Sequence, residues 1–465
     1  MSNKLNDIND IPWQVQRFNE LISREQSIYF DVDDFEEIID HYVIESEFRK
    51  ALHISDYALR VHNGSVPLML RRAQLLASTN KEDKALEILL DIEALEPDNS
   101  DVFLTKGAIY SQLKHYEKAI EEYNKAVHNA DEPDYIYCNI AFEYENMGNF
   151  DKTIEYLSKA LDLNPDNDLA IYEAAYCFDL LSLTEESINF FSKLIDRHPY
   201  SIEAWFNLGV SYINAELYEK ARESFEFALA IEPDHTPTWF HLGYALSLNE
   251  NFKDAIQAYK KSMDKDEGDA MKYYYIGECY EKMEDYVNAR LYYKKATRLQ
   301  ADIPDAWIGM GVCEHEMGNA KIALEYLHRG VDLDPDNTGY LCILADIYMA
   351  QDNLEEGANY FEKAIESSPE EEIIRIDYAD AMADKKEWVE CENIMLETIE
   401  KFPESAIACY RMAAYLYLQG KNKEASYFFE EAMMMDFEKH ASVFEQFPEL
   451  KDHAGILSLI HFYGQ

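Results

Sequence analysis

The sequence repeats itself every 34 residues, and this period limits the possible folds more than any other feature. Trp205 and Trp239 lie 34 residues apart, and Trp307 follows Trp239 by 68 residues. The same spacing relates seven prolines, which are Pro97, Pro165, Pro199, Pro233, Pro335, Pro369 and Pro403. A unit of this length cannot bury a core alone, so its copies must stack on one another. The sequence therefore predicts one array of repeats rather than several globular domains.

The clearest copy spans residues 202–235 and predicts a pair of helices. Apolar residues recur at helical spacing in two short stretches of this copy. Positions 8, 20 and 27 hold Gly209, Ala221 and Ala228, and such small residues allow helices to cross closely. Pro233, at position 32, follows the second stretch, where proline cannot continue a helix. Each copy is therefore predicted to form a helical hairpin.

The pattern resembles the tetratricopeptide repeat (TPR) family, whose 34-residue unit has characteristic residues at eight positions. All eight are matched in this copy, by Trp205, Leu208, Gly209, Tyr212, Ala221, Phe225, Ala228 and Pro233. A frame of 34 residues without insertion gives twelve copies, from Val32 to Lys439. The resemblance implies an all-α fold, a right-handed TPR superhelical solenoid of about twelve helical hairpins. It also implies one concave groove lined by the first helix of each hairpin.

The two ends of the chain depart from the frame, as the capping segments of a repeat array do. Residues 1–31 are predicted to form an N-terminal cap segment, and residues 440–465 a C-terminal capping helix. The twelve contiguous units fill residues 32–439. The first unit is the least regular, because Ile39 replaces the small residue of position 8 and Ser55 replaces the aromatic residue of position 24.

The acidic composition excludes several classes of partner. Lys plus Arg total 42 and Asp plus Glu total 90, so the formal net charge is −48. This field repels phosphate backbones and anionic lipids, so we expect no nucleic-acid binding and no membrane insertion. The segment Met1–Asn9 lacks the apolar core of a secretory signal, and no apolar run approaches the ~18 residues of a membrane span. Together with seven cysteines that form no CxxC pair, this predicts a cytoplasmic protein.

The sequence shows no arrangement of residues typical of catalysis or of metal or cofactor binding. Gly309-Met310-Gly311 resembles the start of a glycine-rich loop, but positions 6 to 8 of a copy lie inside a helix. Cys313 and His315 are two residues apart, which is a poor spacing for two metal ligands on one helix. We therefore expect a protein that is not an enzyme and has no catalytic residue, cofactor or metal site.

The family resemblance implies that positions 2, 5, 9 and 12 of each first helix face the groove. Aromatic residues at these positions predict a stripe of partner-binding side chains, formed by Tyr135, Phe142, Tyr172, Tyr176, Phe206, Phe240, Tyr244 and Tyr274. Aromatic anchors of this kind dominate binding hot spots. The alternative is ordinary filling of the inner surface, because Tyr at position 5 is common in TPR sequences.

Towards the C-terminus the predicted groove becomes acidic. Residues 338–405 contain 18 Asp plus Glu against 5 Lys plus Arg. The candidates for partner binding are Glu278, Asp346 and Asp380, accompanied by Glu281, Asp305 and Asp377. One interpretation is an electrostatic field that steers a basic partner segment. The other is a solvated surface that keeps the protein soluble.

These features predict a non-enzymatic protein–protein interaction scaffold that holds an extended peptide or a partner helix in the groove. The alternative is a regulatory or assembly subunit of a larger enzyme or secretion complex, contacted through its convex face or edges. The carboxylate clamp of TPR co-chaperones is not expected, because position 5 never holds Lys or Arg and position 9 never holds Asn. The residues leave open which protein or peptide is the partner, and whether a second copy of the chain fills the groove.

Overall fold

The computed structural model of the protein describes residues 12–23, 29–263 and 268–464. Within these ranges it contains 27 α-helices, three short 3-10 helices and no β-strand. The predicted all-α fold of helical hairpins is therefore confirmed. The expectation about a secretory signal in Met1–Asn9 concerns residues that lie outside the described ranges.

The chain forms two compact units, Met1–Asp234 (unit 1) and His235–Gln465 (unit 2). The described α-helices of unit 1 are α1 (Trp13–Ser23), α2 (Val32–Ile44), α3 (Phe48–Val61), α4 (Val66–Ala77), α5 (Glu82–Leu95), α6 (Ser100–Gln112), α7 (Tyr116–Ala126), α8 (Pro133–Asn146), α9 (Phe150–Leu163), α10 (Asp168–Leu180), α11 (Thr184–Arg197), α12 (Ile202–Asn214) and α13 (Tyr218–Ile231). A 3-10 helix, Val127–Asn129, follows α7.

The described α-helices of unit 2 are α14 (Thr236–Leu248), α15 (Phe252–Ser262), α16 (Ala270–Lys282), α17 (Tyr286–Leu299), α18 (Pro304–Glu316), α19 (Ala320–Leu333), α20 (Thr338–Ala350), α21 (Leu354–Ser367), α22 (Glu372–Asp384), α23 (Trp388–Lys401), α24 (Ala406–Leu418), α25 (Asn422–Met435), α26 (Ala441–Gln446) and α27 (Ala454–Tyr463). The 3-10 helices Glu438–His440 and Pro448–Leu450 precede and follow α26.

The helices follow the 34-residue frame closely. The second helices begin at Phe48 and then every 34 residues, as far as Asn422 in the last repeat. The first helices begin at position 1 of each repeat, except that α8 begins one residue earlier, at Pro133. Within each unit the two helices of a repeat pack together, and each second helix packs on the first helix that follows it. The repeat period is therefore also the period of the packing.

Repeat position 8, in the first helix, and repeat position 24, in the second helix, meet where the two helices cross. A Cβ atom built on Gly209 would lie 2.5 Å from Cε1 of Phe225, so the ring needs a glycine opposite it. The first repeat reverses this pair, because Ile39 is the large residue and Ser55 the small one. Both side chains are completely buried. The exchange keeps the total volume similar, which explains why the least regular copy forms the same hairpin.

The turn between the two helices has one backbone conformation in every repeat. The residue at position 15 has a positive φ in all twelve repeats, yet only Gly148, Gly318 and Gly420 are glycines. Glu216, for example, has a φ of 59°. A left-handed residue ends the first helix and directs the chain into the second. In a residue with a Cβ atom this conformation is strained.

The segment after the last repeat packs against that repeat within unit 2. The ring of Phe447 is 6% exposed and meets the ring of Tyr415, with centroids 5.7 Å apart. The guanidinium group of Arg411 lies 5.5 Å from the same ring. The segment was expected to be one helix, but Pro448 interrupts it, because a residue that precedes proline is pushed out of the helical region. α26 and α27 therefore pack separately, α26 on α24 and α27 on α25.

Candidate protein-interaction surface

We name the side of the first helices that carries repeat positions 2, 5, 6, 9 and 12 the inner face. In unit 1, Tyr135 of α8 is 53% exposed, and Tyr172 and Tyr176 of α10 are 67% and 46% exposed. One helical turn separates Tyr172 from Tyr176, so both lie on the same side of α10. These three tyrosines contribute little to the core and remain accessible to a partner.

Hydrogen bonds fix the start of α10 against α8. Oδ1 of Asn167 accepts a hydrogen bond from the backbone N–H of Ala170 at 2.9 Å and caps α10. The amide nitrogen of Asn167 donates to Oδ2 of Asp134 at 2.8 Å. Below the tyrosines, Ala141 and Ala174 are buried in a core shared by α8 to α12. The tyrosines of the inner face therefore project from a well-packed support.

The other two predicted aromatic residues of unit 1 are less accessible. Phe142 of α8 is half-buried. The ring of Phe206 packs against Phe225 of the second helix in the same repeat, with centroids 5.9 Å apart. Phe206 therefore also stabilises its own hairpin, as the alternative interpretation of position 5 expects.

In unit 2 the predicted aromatic residues belong to one cluster of rings around Tyr275. The ring of Tyr275 lies 5.5 Å from Phe240, 5.9 Å from Tyr244 and 5.2 Å from Tyr274. It also stacks on buried Tyr259, with an interplanar angle of 15°. Sequence reasoning missed Tyr275 because position 6 was not among the groove positions considered. The run of three tyrosines at 273–275 is the sequence feature that could have pointed to Tyr275.

A hydrogen-bonded pair of a buried tyrosine and a partly exposed carboxylate stands next to this cluster. The ring of Tyr274 lies 5.8 Å from Tyr293, whose hydroxyl donates a 2.7 Å hydrogen bond to Glu281. Burial raises the pKa of Glu281, against the lowering effect of this hydrogen bond. Burial also raises the pKa of Glu278, against the charge of Lys282. Glu281 already accepts a hydrogen bond from Tyr293 within the chain. Of the two acids Glu278 and Glu281, Glu278 is therefore the more available to a cationic group of a binding partner.

Asp346 and Asp377 form a pair of exposed carboxylates on the inner face of α20 and α22. Many protein atoms surround Asp346 although water reaches it. This desolvation, and then the charge of Asp377, raise its pKa to about 6. Burial likewise raises the pKa of Asp377, against the charge of Arg411. The two acids repel each other, so a cationic group placed between them would relieve that repulsion.

Asp380 is bound inside the protein rather than free. Its side chain is 14% exposed, and it lies 3.4 Å from Nε of Arg411. The hydroxyl of Tyr415 donates a 2.5 Å hydrogen bond to Oδ1. Burial raises the pKa of Asp380 in spite of both contacts. Asp305 is engaged in the same way, because it accepts a 2.6 Å hydrogen bond from the hydroxyl of Tyr340.

The carboxylates of unit 1 were not among the predicted site residues. Glu145 of α8 and Glu173 of α10 are half-buried on the inner face. Burial raises the pKa of both, and the charge of Glu145 further raises that of Glu173. Glu143 is only 3% exposed, and its Oε2 has no hydrogen-bond partner. The sequence does contain a signal for these acids, because α8 and α10 have no Lys, Arg or His residue. The count of acidic residues in 338–405 did not include these helices.

All seven cysteines are free thiols, and six of them are buried. Burial raises the pKa of Cys342, the more accessible one, to about 11. Gly309 and Gly311 lie inside α18, and a Cβ atom on Gly309 would meet the ring of Tyr293. Among the described residues, no group of three or more His, Cys, Asp or Glu side chains could hold a metal ion. None of the helices in the described part of the chain is long and apolar enough to cross a membrane.

Comparison with models of known families finds a single type of repeat, which matches six segments of the chain. A profile described as "Tetratricopeptide repeat" matches residues 135–167 and 202–235. A second profile of the same description matches residues 100–128, 236–267, 273–303 and 338–371. A search of curated proteins gave no match.

Solved structures similar to this chain include MamA, with 22% identity, a TM-score of 0.33, and coverage of 35% of this chain and 95% of MamA. YrrB, described as a TPR protein with an unusual peptide-binding site, is 20% identical, with a TM-score of 0.34, and the match covers 42% of this chain and 97% of YrrB. A TPR protein from Parabacteroides merdae is 16% identical, with a TM-score of 0.42, over 54% of this chain and 98% of that protein.

Proposed function

Because the chain belongs to the tetratricopeptide-repeat family, whose repeats serve as protein-interaction scaffolds, we propose that it holds an extended peptide or a partner helix on its inner face. In this proposal the protein has no catalytic activity of its own, and its partner is a protein or peptide with basic residues. It acts in the cytoplasm, in keeping with seven free thiols.

The exposure of Tyr172 and Tyr176 carries this proposal. If aromatic residues served only to fill the inner surface, these rings would be packed, as Phe206 is against Phe225. Instead, 67% of Tyr172 and 46% of Tyr176 are open to solvent, one turn apart on the same helix. Exposed tyrosines on a well-packed support offer a large contact area at a small entropic cost.

The two units contribute differently to the proposed binding. In unit 1, Tyr135, Tyr172 and Tyr176 act as accessible anchors, with Phe142 as a half-buried neighbour. In unit 2, Phe240, Tyr244 and Tyr274 form a firmer aromatic floor around Tyr275. Glu278 and the pair Asp346 and Asp377 attract basic residues, while Asp380 and Phe206 mainly support neighbouring side chains.

A second candidate is contact through the other faces, as in a regulatory or assembly subunit of a larger complex. Tyr200, in the loop before α12, is 82% exposed. Phe227 of α13 is 55% exposed, and its ring stacks on Trp205 with centroids 4.6 Å apart. Both lie off the inner face, so they offer aromatic contact area to a partner docked at the edge of unit 1.

The two candidates are tested by affinity capture from the native host's lysate. We compare the wild-type chain with the double variant Tyr172→Ala and Tyr176→Ala, and with the edge variant Tyr200→Ala. All three tyrosines are exposed, Tyr176 the least at 46%, so the variants should keep the helical circular dichroism of the wild type. A partner that is lost only by the double variant supports binding on the inner face. A partner retained by the double variant and lost by Tyr200→Ala supports the edge instead.

A further inference from the structure

Three successive first helices of unit 1 carry acidic side chains but no basic one. None of α8, α10 and α12 contains a Lys, Arg or His residue, although 42 Lys and Arg occur in the chain. Elsewhere in unit 1 buried acids find internal partners. Glu122, for example, pairs with Lys106 at 3.2 Å and with Lys125 at 2.8 Å. The inner face of these three helices therefore has negative charge that its own helices do not neutralise.

Glu145 and Glu173 are the main acids of this face. Both are half-buried, and within the described residues neither forms an ion pair. α8 and α10 belong to one packed core, and the charge of Glu145 on α8 raises the pKa of Glu173 on α10 in addition to its burial. Partly desolvated like charges without counter-ions are costly, and a cation brought by a ligand would offset that cost.

The exposed rings stand beside these acids. Glu173 follows Tyr172 directly and precedes Tyr176 by three residues, so all three side chains project from one side of α10. Phe142 precedes Glu145 by three residues on α8 and shares its face. Carboxylates combined with aromatic faces are the environment preferred by ammonium and guanidinium groups with apolar stems.

We propose that the inner face of the fourth and fifth repeats binds a Lys or Arg side chain of an extended partner segment, between Glu145 and Glu173 and against the rings of Tyr172 and Tyr176. This assignment rests on the proposed function and specifies the chemistry of its partner. A peptide cation fits better than a metal ion, because exposed tyrosine rings stand beside the acids and the described residues contain no group of three metal ligands. The basic side chain supplies specificity, and the exposed tyrosines supply the apolar contact.

The probe is a fluorescein-labelled ten-residue peptide of alternating Lys and Ala, and its counterpart in which every lysine is acetylated. Binding is followed by fluorescence anisotropy at about 0.15 M salt, where long-range attraction is screened. The site variant is Glu145→Gln with Glu173→Gln. The control variant, Glu185→Gln with Glu186→Gln, removes the same charge from exposed residues of α11. The aromatic variant is Tyr172→Ala with Tyr176→Ala.

We expect the site variant to bind the lysine peptide at least about tenfold more weakly than the wild type, and the control variant within about twofold. Acetylation of the peptide should remove most of its affinity for the wild type. It should not change the weak binding of the peptide to the site variant. Equal losses in the site and control variants would show only a general attraction to the acidic surface and would overturn the assignment. If the site variant binds like the wild type while the aromatic variant still loses its partner from lysate, the cation site is wrong and the scaffold function stands. If the aromatic variant also retains that partner, both are wrong.

Discussion

The hydroxyl group of Tyr415 donates a 2.5 Å hydrogen bond to Asp380, a carboxylate that is 14% exposed and pairs with Arg411 across 3.4 Å. The ring of Tyr415 is completely buried and also meets Phe447 of the C-terminal segment. One side chain therefore connects α22, α24 and that segment. Asp380, which the sequence suggests as a partner-binding acid, has a structural role in this arrangement.

Tyr415→Phe should destabilise the C-terminal repeats. The substitution leaves a desolvated carboxylate without one of its donors, which costs about 1–3 kcal/mol. Because the lost hydrogen bond lowers the pKa of Asp380, the variant should also show a higher pKa for this carboxyl group. The measurement is urea unfolding, with hydrogen exchange in α24. Tyr427→Phe, at a tyrosine that is 59% exposed, serves as the control. Equal protection of α24 in both variants would contradict the structural role.

The pair Asp346 and Asp377 should make stability depend on pH. The pKa of Asp346 is raised from 3.8 to about 6 in the folded protein, so between these values the folded state binds more protons than the unfolded state. Stability from this group is therefore greatest at low pH and is lost as the pH rises through about 6. Asp346→Asn should remove that loss and stabilise the protein at neutral pH, by at most about 1–2 kcal/mol because the exposed group is screened.

The measurement for Asp346→Asn is urea unfolding at about pH 5 and about pH 7.5. The difference in stability between the two pH values should be smaller in the variant than in the wild type. Asp336→Asn removes one charge from an exposed loop residue of the same unit and controls for net charge. If both variants change the pH dependence equally, the effect belongs to the total charge and not to the pair of acids.

The helix crossing in the sixth repeat allows a double-mutant test. Gly209→Ala places a Cβ atom 2.5 Å from Cε1 of Phe225 and should cost about 1–3 kcal/mol through overpacking. Phe225→Leu alone should also destabilise, because it leaves a cavity. Together they reproduce the Ala73 and Leu89 pair at the same positions of the second repeat. Thermal unfolding of the four proteins should therefore give a double variant more stable than the sum of the single effects predicts. Strict additivity would show that the two positions do not share one volume.

The sequence predicts the fold well because the same physical constraint returns in every repeat. Glycine or alanine occupies position 8 in eleven of the twelve repeats, because the helices cross closely there. Proline marks the end of the second helix at position 32 in seven of them. Even the exception is explained by volume, since Ile39 and Ser55 exchange the large and small partners of one contact. A constraint that repeats twelve times can be recognised from a single chain.

The candidate site was only partly predictable, because exposure depends on neighbours that a repeat position does not specify. Tyr172 and Phe206 both occupy position 5, yet only Phe206 packs against the ring of its second helix. Asp346 and Asp380 both occupy position 9, yet a tyrosine one repeat later binds Asp380. The frame places a side chain on a face, whereas its packing and partners depend on residues in adjacent helices.

The turn at position 15 gives the last prediction. Glu216 has a φ of 59°, a conformation that costs a residue with a Cβ atom about 1 kcal/mol and costs glycine almost nothing. Glu216→Gly should therefore stabilise unit 1 by about 0.5–1 kcal/mol, even though glycine usually weakens helical segments through the entropy of the unfolded chain. Glu216→Ala removes the same charge but keeps the backbone strain, so it separates the effect of charge from the effect of strain. Gly148→Ala should destabilise the protein, because it introduces a Cβ atom at a φ of 70°. Thermal unfolding of the three variants measures the effect. If Glu216→Ala stabilises as much as Glu216→Gly, relief of charge repulsion is the cause and the left-handed turn stores no strain.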